Sequence, residues 1–179
     1  FVFSSSCTVY GTPKNIPVNE KNKVQPAFSP YGYTKQVGEK ILTDFFHTKP
    51  ETTLTLLRYF NPIGAHPSAL IGELPLGVPS NLVPFITQSA IGKIGPLTIH
   101  GNDYATFDGT CIRDYIHVVD LATAHVLSLN NQSIEAKFYN VGLGKGSSVL
   151  EVVKKFEKVN NLKLKFQIGK RRKGDIPEI

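Results

Sequence analysis

The chain of 179 residues has no methionine, no tryptophan and only two cysteines. Cys7 and Cys111 are far apart and form no Cys-x-x-Cys pair. Neither a metal site nor a disulfide framework is expected, and two such thiols suit a reducing, cytoplasmic compartment. Sequence alone leaves a single bridge between them open. No apolar run approaches the roughly 18–20 residues of a membrane span, so no membrane partner is expected. The opening FVFSSSCTVYG has no basic leader and does not read as a signal peptide. With no methionine at all and a start that reads directly as a buried strand, the chain is expected to be a fragment. Charged residues make up 19% of the chain, with a net charge of +6 and a basic run, KRRK, at Lys170 to Lys173. That run has neither interleaved aromatics nor a binding motif, so no nucleic-acid partner is expected.

The apolar share, 41%, is ordinary for a soluble globular protein, and the length allows a real core. Phe1 to Ser6 reads as a buried strand ending in serines, and Thr8 to Pro30 as a proline-containing loop. Ser29 is placed to cap a helix that Pro30 begins. Val37, Ile41, Leu42, Phe45 and Phe46 continue it at helical spacing, and Pro50 ends it. Thr53 to Tyr59 is a second strand. Strand, loop, helix, strand is the pattern of a parallel sheet with a crossover helix. Asn61 to Pro79 reads as a long loop. Ser80 is expected to cap a helix reaching about Lys93, with Pro84 in its first turn. Leu97 to Gly101 reads as a strand, Gly101 to Gly109 as a loop and Val118 to Leu129 as a helix. Phe138 to Gly142 is a strand, Ser148 to Asn160 an amphipathic helix and Leu164 to Ile168 a strand.

Within SPYGYTK, Ser29 to Lys35, helix geometry puts Tyr31 and Lys35 on one face and turns Tyr33 away. A lysine charge beside a phenol favours the phenolate and lowers its pKa, which would let Tyr31 act as a general base. Open α/β sheets bind ligands at the carboxyl ends of their strands. Ser4 to Ser6 lie at one such end and Tyr59 to Asn61 at another.

These residues resemble a known pattern. FSSSCTVYG followed by SPYGYTK resembles the serine and Tyr-x-x-x-Lys signatures of extended short-chain dehydrogenases/reductases. RYFNPIGAHPS, IGELPLGVPSNLVP and HGNDYATFDGTCIRDYIHVVDLA narrow the resemblance to the UDP-glucose 4-epimerase family, from Phe1 to about Asp175. The fold implied is α/β: part of a Rossmann-type doubly wound sheet plus a smaller α/β substrate-binding domain. Residues 1–61 would be the C-terminal part of the NAD-binding domain. Residues 62–179 would be mainly the nucleotide-sugar-binding domain, with some segments returning to the first. The family's glycine-rich NAD turn is not found before the serine strand. The resemblance therefore implies a C-terminal portion of the catalytic unit, clipped at both ends and inactive alone.

The implied chemistry interconverts UDP-glucose and UDP-galactose through a transient 4-keto sugar, with NAD as the bound cofactor. Tyr31 would be the base. Lys35 would lower its pKa and hold the nicotinamide ribose, and Ser6 would bond the sugar 4-oxygen and relay the proton. Tyr59 and Phe60 match residues lining the nicotinamide and sugar. Asn61, Arg113 and Arg172 match diphosphate contacts, where an arginine fork suits phosphate oxygens. Asn81, Leu82, Thr98, Ile99, His100 and Asp175 match the nucleotide pocket, although His100 stands where many relatives carry phenylalanine. Tyr10, Tyr115 and His117 read as structural. The family is commonly a homodimer. The alternatives are another NAD-dependent nucleotide-sugar epimerase, dehydratase or decarboxylase, or a non-catalytic nucleotide-sugar-binding module. The dehydratases carry an Asp-Glu pair where this chain reads Cys7-Thr8.

Overall fold

The computed structural model describes residues 1–49, 51–130, 133 and 135–179. Strand β1 (Val2–Ser6) runs into a single 3-10 turn, Cys7–Tyr10, which the Ser6 hydroxyl caps by accepting from the Thr8 amide. Helix α1 (Pro30–Thr48) follows the proline-containing loop, with Ser29 Oγ accepting from Gly32 N and Pro30 in its first turn. The chain continues through β2 (Thr55–Tyr59), β3 (Asn61–Ile63), α2 (Leu82–Ala90), β4 (Leu97–His100) and β5 (Ile112–His117). It ends with α3 (Val118–Leu129), β6 (Lys137–Val141), β7 (Gly146–Ser148), α4 (Val149–Asn160) and β8 (Phe166–Gly169). The architecture is mixed α/β. β1, β2 and β6 form a parallel sheet in that order, β4 pairs with β8 in parallel, and β3, β5 and β7 hydrogen-bond in that order as a further three-stranded sheet.

The chain divides into two compact units, residues 1–62 with 114–145 and 179, and residues 63–113 with 146–178. In the first unit the sheet core is Phe46, Leu54 and Leu56, joined by Phe3, Leu42 and Phe138. A second cluster, Cys7, Val9, Tyr10 and Phe60, sits by the strand ends. In the second unit Ile86, Leu97, Ile99, Val153 and Leu164 bury the inner faces of α2, α4 and β4. No disulfide joins Cys7 and Cys111, and both are buried.

Several expectations are corrected. The cap of α2 is Asn81 rather than Ser80, it makes no side-chain capping bond, and the helix stops at Ala90. Gly92 takes a positive φ of 72° two residues on, which the helix cannot continue through. Residues read as loop contain β3, and residues left unassigned contain β5. The helix stop at Pro50 lies outside the described residues. On α1, Val37, Ile41 and Phe45 are exposed, while the inward face carries Gly32, Glu39 and Phe46. Gly38 allows that face to lie close to the sheet, because a Cβ there would stand 2.6 Å from the Phe3 ring.

In the second unit a buried polar joint starts α4. Ser148 and Glu151 form a reciprocal capping box. Asp108 accepts from the Ser148 hydroxyl and from both N and Oγ1 of Thr110, the last two at 2.9 and 2.8 Å. Partial burial opposes the Asp108 charge, but the bonds from Ser148 and Thr110 outweigh it and hold the carboxyl below its ordinary value. A carboxyl lowered in the folded state contributes stability that is complete above its unfolded value of about 3.9. That stability drains as pH falls through the lower folded value. Asp108→Asn should therefore cost about 1 kcal/mol or more in urea unfolding at pH 7, and the difference should shrink toward pH 3. An equal loss at both pH values would contradict this role.

Candidate active site

In the first unit the three consecutive serines of β1 have different partners. Ser5 Oγ donates to Glu39 Oε1 at 2.5 Å. The Ser4 carbonyl accepts from Lys35 Nζ at 2.8 Å. Ser4 Oγ lies 3.0 Å from His125 Nε2. Because His125 Nδ1 faces the Leu121 carbonyl at 2.8 Å, Nδ1 carries the hydrogen in the neutral ring, and Nε2 accepts from Ser4. Ser6 closes the strand beside the Tyr31 phenol, near enough for its hydroxyl to favour the phenolate.

Tyr31, in the first turn of α1, is 51% exposed. Lys35 stands one turn on, its Nζ 5.5 Å from the Tyr31 ring centroid and 5.4 Å from that of Phe3. The expected lowering of the phenol by Lys35 is overturned. Loss of hydration at the hydroxyl end is the larger influence and raises the Tyr31 pKa above its ordinary 10.0, the Ser6 bond opposes it, and Tyr59 and Cys7 add to the rise. The ammonium lies by the ring and bonds a backbone carbonyl, so its charge is spent away from the phenol oxygen.

Tyr59 ends β2 in register with Ser6 on one side and Val141 on the other. The Phe60 ring is buried with Cys7, Val9 and Tyr10, which leaves its main chain as its outward part. Asn61 opens β3. Ser6, Tyr31 and Lys35 thus gather where the parallel strands end, the position at which doubly wound sheets hold ligands. Their chemistry fits a nicotinamide ribose. Lys35 is half-buried and bonds one carbonyl through a group with three N–H donors, and among the described residues no carboxylate forms an ion pair with it. Two hydroxyls and an ammonium can meet a vicinal diol as donors and acceptors together.

In the second unit Arg113, Arg172 and Asp175 come together. Arg113 Nη2 lies 3.8 Å from Asp175 Oδ1, and Arg172 Nε donates to Asp175 Oδ2 at 3.1 Å. The Arg113 Nη1 donates to the Ile112 carbonyl at 2.8 Å, which orients its fork. Two guanidiniums share one carboxylate, so the group keeps a net positive charge suited to an anion. The strand carrying Thr98, Ile99 and His100 alternates. Ile99 is core, Thr98 accepts from Gln167, and His100 is exposed beside the Lys170 carbonyl. Only the main chain of Ile99 is left to meet a ligand. Leu82 packs against the core, and Asn81 donates to Glu73 at 3.2 Å. Half of the KRRK run has internal partners: Arg172 meets Asp175, and Arg171 meets Asp103 and stacks 4.3 Å from the Tyr104 ring centroid. His117 caps α3 and Tyr10 is core, both structural roles.

Sequence reasoning missed Glu39, Arg58 and Ser5. Glu39 and Arg58 form a bidentate pair, with Nε–Oε1 at 2.8 Å and Nη2–Oε2 at 2.7 Å. A signal was present, since Tyr31, Lys35 and Glu39 are spaced by four and share a helix face.

The model of the NAD dependent epimerase/dehydratase family matches residues 1–142. UDP-glucose 4-epimerase 4 of Oryza sativa subsp. japonica is 54% identical over 177 residues, covering 97% of this chain and 48% of the rice protein. UDP-glucose 4-epimerase of Pasteurella multocida is 53% identical over 178 residues, covering 98% of this chain and 53% of that protein. The chain thus spans about half the length of these relatives. The crystal structure of UDP-glucose 4-epimerase from Bifidobacterium longum, in complex with NAD+ and UDP, superposes with a TM-score of 0.95 at 47% identity. It covers 99% of this chain and 53% of that one, and its Rossmann-type α/β fold is shared here.

The environment of Tyr31 yields a direct expectation. Titrated by NMR of ring-labelled tyrosine in cofactor-free protein, its phenol should ionise above pH 10.0, the ordinary value. Ionisation near neutral pH would contradict the geometry described.

Proposed function

The chain belongs to the NAD dependent epimerase/dehydratase family, and from that premise we propose that it forms part of a UDP-glucose 4-epimerase. The grouping of Ser6, Tyr31 and Lys35 at the end of a parallel sheet is the observation that carries this reading. It is supported by the similarity to UDP-glucose 4-epimerases over nearly the whole chain.

In the reaction, Tyr31 takes the proton of the sugar 4-hydroxyl, and Ser6 bonds the same oxygen and passes the proton between sugar and phenol. Lys35 and Tyr31 would hold the nicotinamide ribose, with Tyr59 and the main chain at Phe60 beside them. The cofactor, when bound, would supply a hydride acceptor and a positive charge in its oxidised form and a hydride donor in its reduced form. Because burial raises the Tyr31 phenol, it keeps its proton until a cation near its oxygen favours the phenolate. Arg113 and Arg172 grip the diphosphate, and Asn61 is assigned a diphosphate contact by its motif. Asn81, Leu82, Thr98, the Ile99 main chain, His100 and Asp175 form the nucleotide pocket. Firm binding of the UDP end would leave the keto sugar, formed when C4 gives up its hydride to the cofactor and its hydroxyl proton to Tyr31, free to turn and present its other face.

Tyr31→Phe in the full polypeptide carrying this segment should cut turnover by about a hundredfold to ten-thousandfold with UDP affinity kept. Near-normal epimerisation, followed by coupled assay of UDP-glucose formation, would refute the assigned base. Arg113→Ala should weaken UDP-sugar binding by about tenfold to a hundredfold in calorimetry, and unchanged affinity would remove it from the anchor.

A further inference from the structure

The inner face of α1 carries three polar side chains spaced by four, Tyr31, Lys35 and Glu39. Two of them are hydrogen-bonded to the serine strand, Lys35 to the Ser4 carbonyl and Glu39 to the Ser5 hydroxyl, and the Tyr31 phenol stands beside Ser6. Only Glu39 is also tied to the neighbouring strand. Its carboxylate receives both prongs of the Arg58 fork, with side chains 8% and 6% exposed.

Arg58 itself is held by the sheet. Ser5, Arg58 and Asn140 stand side by side in the β1-β2-β6 register and share a face. Arg58 Nη1 donates to the Tyr10 hydroxyl at 3.1 Å, and that hydroxyl donates to Asn140 Oδ1 at 2.6 Å. The guanidinium carbon lies 5.0 Å from the Tyr10 ring centroid and 4.8 Å from that of Phe138. Arg58 is therefore a fixed point, and Glu39 is where α1 docks on it.

We propose that Ser5, Glu39 and Arg58 form a positioning device that sets the rotation and axial placement of α1 against β1, and so holds the Tyr31 hydroxyl against Ser6. This rests on the reading of Tyr31 as the proton acceptor. Apolar burial is non-directional, and Leu42 and Phe46 alone do not choose a rotation. A bidentate fork does, because both N–H···O bonds hold in one orientation. A one-residue slip turns the helix by about 100° and leaves two buried charges unpaired. Gly38 keeps the lever short, since α1 touches the Phe3 ring there. The groups facing the Tyr31 phenol are Ser6, Tyr59 and Cys7, with Lys35 beside its ring. Of these, Ser6 is the one whose nearness favours the phenolate, so moving the phenol away from it raises the phenol further.

The test uses the full polypeptide carrying this segment, with variants Glu39→Gln and Ser5→Ala. Tyr31 is followed by NMR of ring-labelled tyrosine in cofactor-free protein, its signal assigned by its absence in Tyr31→Phe. Both variants should shift the Tyr31 titration to higher pH. In the cofactor-loaded enzyme kcat should fall about tenfold to a hundredfold for Glu39→Gln while KM for the UDP-sugar holds, and the acid limb of the kcat profile should move to higher pH. A merely structural role lowers the folded fraction and leaves both titrations where they were, and that result overturns the proposal. If Glu39→Gln fails to fold, Ser5→Ala decides, because it removes one hydrogen bond and leaves the ion pair. Near-normal turnover in Tyr31→Phe would instead refute the base assignment, while the NMR titration still judges the coupling of Glu39 to Tyr31.

Discussion

Two opposite charges buried in the first unit constrain most of what surrounds them. Removing one partner of such a pair costs about 3–5 kcal/mol, whereas a well-packed apolar pair can replace both at little loss. Glu39 and Arg58 are thus better understood as a constraint on geometry than as a source of stability. They oblige α1 to present one face to β1, oblige β2 to hold Arg58 beside Ser5, and oblige β6 to bring Asn140 alongside. Burial works against the Arg58 charge, but Glu39 and Tyr10 outweigh it and keep the guanidinium ionised. The next row of the same sheet is Ser6, Tyr59 and Val141, where the candidate chemistry sits.

This arrangement separates holding from reacting. The buried row carries fixed charge and no reactive role, while Tyr31, on α1 at the strand ends, is half-exposed and holds its phenol proton more tightly than an ordinary tyrosine. In the second unit, Arg113 and Arg172 are kept near one another by sharing Asp175, so an anion finds the fork partly organised. The same economy appears in Arg171, whose contacts with Asp103 and Tyr104 make a basic run part of the fold.

Much of this was legible in the sequence. Ser29 and Pro30 announced the start of α1, Thr53 to Tyr59 the second strand, and Ser148 the start of α4, because caps and short apolar runs bounded by turns act locally. Strand β5 escaped because its buried row, Ile112, Asp114 and Ile116, contains a carboxylate. That carboxylate is satisfied by the amides of Leu143 and Gly144, which are remote in sequence, so alternation of apolar residues was broken. β3 and β7 have three residues each, too few to show a period of two. The inner face of α1 was misjudged for a related reason: its apolar residues Val37, Ile41 and Phe45 face outward, and a charged residue with a distant partner faces inward. The Tyr–Lys pair was visible as spacing, but the direction of the phenol's shift depends on burial and on where the ammonium is anchored. Both are set by tertiary structure.

The central claim is that the Tyr31 hydroxyl, held beside Ser6, is the group that meets the sugar 4-hydroxyl. A crystal structure of the full polypeptide with reduced cofactor and UDP-glucose measures this most directly. The account predicts the Tyr31 oxygen within about 3.2 Å of the sugar 4-oxygen, with Ser6 bonded to the same atom. A complex in which another acid or base occupies that place, and Tyr31 lies beyond hydrogen-bond reach, would contradict it.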